Sequence, residues 1–197
     1  MVSTATSKTS KEKGVPTVKI EYPEEVKMAS ICNKGSTVQI NIGKEEQCRL
    51  LIDDDEYNLV QFHFHSPSEH CVDSTQFAME MHLVHFNAKG HIAVLGFLYN
   101  ATSQSEAVKD GGNAFLRYFW DQLPSKETDH EIPLKRSLRF GSLFGGSGDR
   151  EWITYNGSLS SVLSMDSALC LRFCSLLDML SVSVCSMFHV DDELMTR

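Results

Sequence analysis

The middle of the chain alternates between apolar and polar positions with a period of two, the pattern of strands that bury one face. Short runs rich in β-branched and aromatic residues are separated by Gly, Asn, Asp and Lys, which favour turns. The pattern therefore predicts a mainly β domain. The predicted strands lie at 18–22, 37–42, 59–65, 77–86, 91–99 and 152–155.

Other parts of the chain lack this alternation. A helix is predicted at 106–123, where apolar residues such as Phe115 and Phe119 recur at helical spacing. Residues 128–149 are polar and end in a glycine-rich stretch, so we expect a surface excursion there. Residues 1–13 are rich in Ser, Thr and Lys and are predicted to form a flexible, solvated tail.

Two of the predicted strands carry polar side chains on one face and apolar side chains on the other. Gln61, His63 and His65 share a face because side chains alternate along a strand, and Glu80 shares a face with His82 for the same reason. Polar residues on an inward face cost free energy unless they are paired or coordinate a metal. Three histidines are the protein ligands that a catalytic zinc needs if its fourth position is to hold water. Gln61 and Glu80 are placed to accept hydrogen bonds from the ligands' free N–H groups.

Length and charge narrow the class of protein. The 197 residues are enough for one domain with a sizeable core. A net charge of −8 without a basic stripe argues against a nucleic-acid partner. No apolar run is long enough to span a membrane, and no hydrophobic signal segment opens the chain, so the default compartment is the cytoplasm. The six cysteines show no regular spacing, and nothing in the sequence indicates an oligomeric state.

Two motifs carry a resemblance to a known family. The segments QFHFHSPSEH at 61–70 and MEMHLVH at 79–85 resemble the zinc-site core of the α-class carbonic anhydrases, in the form found in plant, algal and bacterial members. Weaker similarities lie at 30–41, 92–97 and 155–160. The resemblance implies a central twisted sheet, mixed but largely antiparallel, with short peripheral helices. It also implies a zinc enzyme that interconverts carbon dioxide and bicarbonate.

The resemblance assigns a role to each site residue. His63, His65 and His82 would hold Zn²⁺. Ser160 stands where the family has a threonine whose hydroxyl orients the nucleophile, and Glu69 stands where the family has the carboxylate that accepts from that hydroxyl.

The same resemblance assigns roles to residues around the site. Val84 and Val94 match the apolar wall where carbon dioxide rests, although both are also ordinary strand valines. His70 matches a structural histidine that braces Glu80 and Tyr155.

The position of the family's proton-carrying histidine is occupied by Ser36, which follows Asn33-Lys34-Gly35. A serine cannot relay protons near neutral pH as an imidazole can. We therefore expect turnover that depends on buffer.

The ends of the chain depart from the family. Residues 14–161 form the partial carbonic-anhydrase-like domain, but a Gln-Ser-Pro motif before it and a Pro-Pro-Cys motif after Ser161 do not appear. Residues 162–197 diverge from the family and are of unknown structure, with an amphipathic helix as one interpretation. Residues 162–190 lack sustained strand alternation, so we expect that this segment does not replace the family's C-terminal strands. We expect a truncated or mis-spliced product, incomplete at both ends and impaired in stability and activity.

Two other functions share some of these features. His63, His65 and Glu69 also fit the spacing of a cupin metal site, in which the glutamate itself binds iron or manganese. The glycine expected seven residues after that glutamate is Gln76, and the second cupin motif is missing. A non-catalytic binding domain on the carbonic anhydrase scaffold is the other alternative, although such relatives typically lose zinc histidines.

Overall fold

The computed structural model describes residues 3–6, 16–101, 113–144, 152–157 and 168–179, with only the backbone of the first and the last two of these segments. The described strands are β1 (Ser3–Thr6), β2 (Val18–Tyr22), β3 (Ala29–Asn33), β4 (Val38–Ile42), β5 (Arg49–Ile52), β6 (Asp55–His65), β7 (Cys71–Val72), β8 (Thr75–Gln76), β9 (Met79–Asn87), β10 (Ile92–Ala101), β11 (Ile132–Pro133), β12 (Trp152–Gly157) and β13 (Ala168–Met179). Eleven of these described strands form one sheet, whose main path runs β1-β2-β5-β6-β9-β10-β13-β12. The other two, β7 and β8, form a separate hairpin.

The predicted fold class is confirmed. Among the described strands, β10 and β13 form the only parallel pair, and all other pairs are antiparallel. Within the described residues, helical structure is limited to the short elements η1 (Leu116–Tyr118), η2 (Trp120–Gln122) and α1 (Gly141–Phe144). None of the described helices has the length and apolar character that a membrane crossing demands.

Strand β6 is the central strand of the site and pairs with three other strands. The first half of β6 pairs with β5, and its second half pairs with β4 on the same side. Strand β9 lies along its other side, so that His63 stands between Gln39 and His82. A bulge between Leu59 and Gln61 shifts the register of the β6–β9 pair. The two histidine-bearing strands predicted from the sequence are therefore direct neighbours.

The core lies on the face of β6 and β9 opposite to the histidines. Phe62, Phe64, Met81 and Leu83 are fully buried there, as the alternation predicts. Aromatic rings from the later part of the chain cover this face, with Phe119 5.6 Å from Phe62 between ring centroids. One face of these strands therefore packs in the core, and the opposite face carries the histidines.

The prediction of a helix at 106–123 is wrong for residues 113–123, the part of this range that the structure describes. Residues 116–122 form η1 and η2, separated by Phe119, whose backbone leaves the helical region at φ −138° and ψ −11°. Leu123 is extended, as expected for a residue that precedes a proline. The apolar spacing nevertheless identified the right side chains, because Phe115 and Phe119 are fully buried.

The surface excursion predicted at 128–149 is only partly correct. Residues 129–131 are exposed, but Leu138, Phe140 and Leu143 are fully buried in the main core. Leu138 also forms an isolated antiparallel bridge with Val26. The polar composition of the segment concealed these few apolar residues, which anchor it to the sheet.

Both ends of the chain contribute strands that the sequence pattern did not predict. Residues 3–6 of the predicted tail form β1, which pairs with β2. Residues 168–179, within the segment whose structure the sequence left open, form β13, which pairs with β10 on one side and β12 on the other.

Candidate metal centre

His63, His65 and His82 meet on one face of the β6–β9 pair. His63 lies directly opposite His82 in the register, and His65 is two residues further along the same face. Their ring centroids are 4.9 Å apart for His63 and His65, 5.5 Å for His63 and His82, and 4.9 Å for His65 and His82. One ligand nitrogen from each ring lies within 4.8 Å of the other two, which is close enough for the three to hold one metal ion.

Hydrogen bonds fix which nitrogen of two rings is free. His63 Nδ1 donates to Gln61 Oε1 at 3.0 Å, which leaves Nε2 with an unprotonated lone pair. His82 Nε2 donates to Glu80 Oε1 at 2.9 Å, which leaves Nδ1 free in the same way. Partners of this kind orient metal-binding histidines and set their tautomers. The structure therefore places Gln61 and Glu80 beside the rings that the sequence pairs them with.

Glu80 is held by three donors. Besides His82, its carboxylate accepts from the ring nitrogen Nδ1 of His70 at 2.6 Å and from the backbone N–H of His70 at 2.9 Å. Its side chain is only 1% exposed. Donor atoms of His70, Glu80 and His82 are also close enough to one another to hold an ion. Because these atoms are joined by hydrogen bonds, we interpret this second group as a support for His82.

Glu69 lies beside the histidine cluster. Its Oε1 is 3.6 Å from His65 Nδ1, and its Oε2 is 3.8 Å from His82 Nδ1. Both distances are beyond hydrogen-bond length, and the carboxylate is 36% exposed. The three histidines form a potential metal-binding group, whereas no such group among the described residues includes Glu69.

Burial and charge favour neutral imidazoles at the cluster. Burial, together with the neighbouring His82 and His65, lowers the pKa of His63 to about 3. Burial also lowers the pKa of His65, although the carboxylates of Glu69 and Glu80 oppose that effect. Burial alone would raise the pKa of Glu80, but hydrogen bonds from His70 and His82 outweigh it and hold that pKa well below its ordinary value. Neutral imidazole beside an ionised carboxylate is the state that binds a metal.

An apolar wall adjoins the histidines on the same face. Val84 lies opposite Gln61 in the β6–β9 pair and opposite Val94 in the β9–β10 pair. With Ile92 these valines form a small buried cluster separate from the main core. The wall could accommodate a small apolar molecule beside the metal-binding face.

The remaining predicted residues are Ser160, Tyr155 and Ser36, and the structure does not describe all of them in full. Ser160 lies outside the described residues. The backbone of Tyr155 lies in β12, opposite Cys170 of β13, which in turn lies opposite Val94. Ser36 is exposed in the turn between β3 and β4.

Sequence reasoning missed two features near the cluster. His85, three residues after His82, lies on the core face, where it is fully buried and hydrogen-bonded to Tyr22. The odd spacing from His82 is the signal that separates it from the ligands. Gly96 lies opposite His82 in β10. That pairing is not visible in the sequence, since it depends on the register between strands.

Comparison with known proteins identifies the family. The model of the eukaryotic-type carbonic anhydrases matches residues 2–162. The chain belongs to this family. Curated carbonic anhydrases agree: the protein from Klebsiella pneumoniae is 35% identical over 132 residues, which are 67% of this chain and 49% of that protein. Alpha carbonic anhydrase 2 of Arabidopsis thaliana is 39% identical over 71 residues, which are 36% of this chain and 29% of that protein.

The same comparisons set the extent of the likeness. The chain spans about half the length, or less, of these two carbonic anhydrases. The α-carbonic anhydrase of Thermovibrio ammonificans was solved with the inhibitor sulfanilamide. It matches this chain with a TM-score of 0.69 at 25% identity, and the match covers 88% of this chain and 69% of that protein's chain. The α-carbonic anhydrase of Photobacterium profundum shares the fold with a TM-score of 0.72 at 23% identity, over 92% of this chain and 76% of its own. Membership of the carbonic anhydrase family argues against the cupin alternative.

Proposed function

We propose that this chain is a zinc-dependent carbonic anhydrase, which converts carbon dioxide and water to bicarbonate and a proton and catalyses the reverse reaction. The observation that carries the proposal is the set of three imidazole nitrogens on one strand face, two of them with tautomers fixed by Gln61 and Glu80. The retention of all three histidines favours an enzyme over a non-catalytic binding domain.

The donor set suits zinc. Tetrahedral Zn–N bonds of about 2.0–2.1 Å separate neighbouring ligand nitrogens by about 3.4 Å. The nitrogens of His63, His65 and His82 lie within 4.8 Å of one another, so small side-chain rotations bring them to that spacing. Zinc held by three histidines lowers the pKa of a water molecule to about 7, a value known from carbonic anhydrases themselves, and so supplies a nucleophile at neutral pH.

The surrounding residues bind and orient the reactants. Val84 and Val94 present an apolar wall that favours carbon dioxide over water. The Glu69 carboxylate lies near His65 and His82. By resemblance to the family, it would accept from the hydroxyl of Ser160, and that hydroxyl would orient the nucleophile. A serine keeps the hydroxyl of the family's threonine but lacks the methyl group that restricts its rotamer.

Zinc content and activity test the proposal together. The purified chain should bind about one zinc per molecule, measured by elemental analysis, and should accelerate carbon dioxide hydration in a stopped-flow assay. His82→Ala should lose most of the zinc. His130→Ala removes a histidine that is 72% exposed in a loop and should keep both zinc and activity.

Glu69→Gln separates the two kinds of metal site. If Glu69 acts on the nucleophile, Glu69→Gln should keep stoichiometric zinc and lose hydration activity. Loss of zinc from this variant would favour direct ligation by Glu69, and stoichiometric zinc in His82→Ala would refute the three-histidine site.

A further inference from the structure

Gly96 interrupts an otherwise continuous apolar strand. Strand β10 is buried over most of its length, and glycine is an unfavourable residue within a strand because it adds backbone entropy to the unfolded chain. Among the described glycines, only Gly35 and Gly90 have a positive φ, so the backbone conformation does not require glycine at 96. A reason for it must lie in the space above its Cα.

That space is filled by the support of the metal cluster. Gly96 lies opposite His82 in the β9–β10 pair. A Cβ atom at position 96 would lie 3.3 Å from Oε1 of Glu80 and 3.7 Å from Cδ2 of His82. Oε1 is the oxygen that accepts from both His82 Nε2 and His70 Nδ1. The missing side chain therefore adjoins the atom on which the orientation of His82 depends.

Glu80 has little freedom to move away from an added methyl group. Its side chain is 1% exposed, and its other oxygen is held by the backbone N–H of His70. A contact of 3.3 Å is tighter than ordinary van der Waals contact, so the carboxylate would have to shift by a few tenths of an ångström. Such a shift would lengthen or bend the hydrogen bond to His82 and turn its ring.

We propose that Gly96 is a positioning residue for the metal centre, which acts by leaving room for the Glu80 carboxylate to hold His82 Nδ1 toward the ion. This inference rests on the proposed zinc site and adds a residue to it. Zinc affinity should fall as the side chain at 96 grows, from Gly to Ala to Val. Strand propensity rises in the same series, from Gly to Ala to Val, so the stability of the strand should rise while zinc affinity falls.

The main experiment measures the zinc dissociation constant of the full chain by competition with a chelator. Gly96→Ala should weaken zinc binding about tenfold, within the range typical of lost hydrogen-bond partners of metal ligands, and Gly96→Val should weaken it further. Gly141→Ala is the matched control, since a Cβ there meets nothing within 4 Å. Its dissociation constant should stay within about twofold of the parent value.

A double mutant tests whether Gly96 acts through Glu80. In a Glu80→Ala background the added methyl meets no carboxylate, so Gly96→Ala should change the dissociation constant less than twofold. An equal loss in both backgrounds would overturn the proposal.

Measurements on the zinc-loaded parent protein cover the case in which the variants do not fold. An NMR contact between a Gly96 α-proton and His82 Hδ2 is expected, and its absence would overturn the proposal. If the parent binds no zinc, the proposed function fails; if the parent and Gly96→Val bind zinc equally, only this inference fails.

Discussion

At the scale of single residues, the hydrogen-bond partner of each histidine decides which nitrogen can bind a metal. Gln61 and Glu80 use different ring atoms, Nδ1 of His63 and Nε2 of His82, so the free nitrogens are Nε2 and Nδ1 respectively. A carbonyl or carboxylate oxygen can only accept, so each partner specifies one tautomer. The site thus depends on its supporting residues as well as on its ligands.

Gln61→Ala removes the partner of His63 without touching a ligand. The freed ring can rotate and change tautomer, so we expect zinc affinity to fall by about tenfold to a hundredfold. Chelator competition measures this change. Gln39→Ala is the control: Gln39 lies opposite His63 on β4, but its amide donates to Asn41 Oδ1 at 2.5 Å. Equal affinities for the two variants would show that Gln61 does not orient His63.

Ser36→His tests the route of the proton. Because a serine hydroxyl does not titrate near neutral pH, the hydration rate of the parent chain should rise with the concentration of an imidazole buffer. An exposed histidine at 36 titrates near neutral pH and should flatten that dependence in stopped-flow measurements. Ser142→His, at a half-buried position of α1, should leave that dependence unchanged. A parent rate independent of buffer would indicate another proton carrier or a different slow step.

The period-two pattern was sufficient to predict which side chains share the face of His63, because alternation is a local property of a strand. The pattern was not sufficient to predict the roles of Gly96 and Tyr22. Both matter through contacts across strands, and such contacts depend on register, which the sequence of one strand does not contain. Residue-scale prediction therefore succeeded within strands and failed between them.

At the scale of elements, runs that alternate were predicted well and runs that do not alternate were missed. Strands β2, β4, β6 and β9 were recognised, although β2 and β4 have only five residues each, because polar and apolar residues alternate along them. Strands β3 and β5 were not recognised, since each contains consecutive apolar residues. The predicted helix failed for a different reason. Phe115 and Phe119 are spaced for one face of a helix, but the same spacing serves two consecutive 3₁₀ turns that press both rings on the sheet.

Phe119→Ala tests how strongly η1 and η2 are attached to the sheet. The Phe119 ring is fully buried, with ring centroids 5.6 Å from Phe62 and 5.9 Å from Phe64. Its loss leaves a cavity and should lower the free energy of unfolding by about 3–5 kcal/mol, measured by denaturant titration. Phe86→Ala is the control, because Phe86 is 36% exposed, and it should cost about 1 kcal/mol. Equal losses would mean that these turns are not anchored through Phe119.

At the scale of the whole molecule, one buried row of residues ties several strands together. Tyr22, at the end of β2, donates to His85 Nε2 on β9, although β5 and β6 lie between these strands in the sheet. His85 Nδ1 in turn donates to the carbonyl oxygen of Ala93 on β10 at 3.1 Å. These two hydrogen bonds use both nitrogens of a neutral imidazole. Protonation of His85 would place a hydrogen on Nε2, which could then no longer accept the hydrogen bond from Tyr22.

The charged form of His85 is therefore disfavoured in the folded protein. Burial is the largest cause and lowers its pKa to about 4 from 6.5, against the opposing effect of backbone carbonyls. Tyr22, which is hydrogen-bonded to His85, and Cys48, near Tyr22, do not compensate. Both groups are neutral in acid at their ordinary pKa values, and burial raises the pKa of each further. The unfolded chain binds the proton more tightly than the folded one, so this contribution to stability is present above pH 6.5 and is lost as the pH falls toward 4.

His85→Gln isolates that contribution, since glutamine has no charge to gain. The difference in unfolding free energy between the parent chain and this variant should shrink by about 3 kcal/mol between pH 7 and pH 4, at 1.36 kcal/mol for each unit of pKa difference. Denaturant titrations of both proteins across this range measure the change, and the other histidines cancel because both proteins contain them. A difference that stays constant with pH would show that His85 accepts a proton within the folded core.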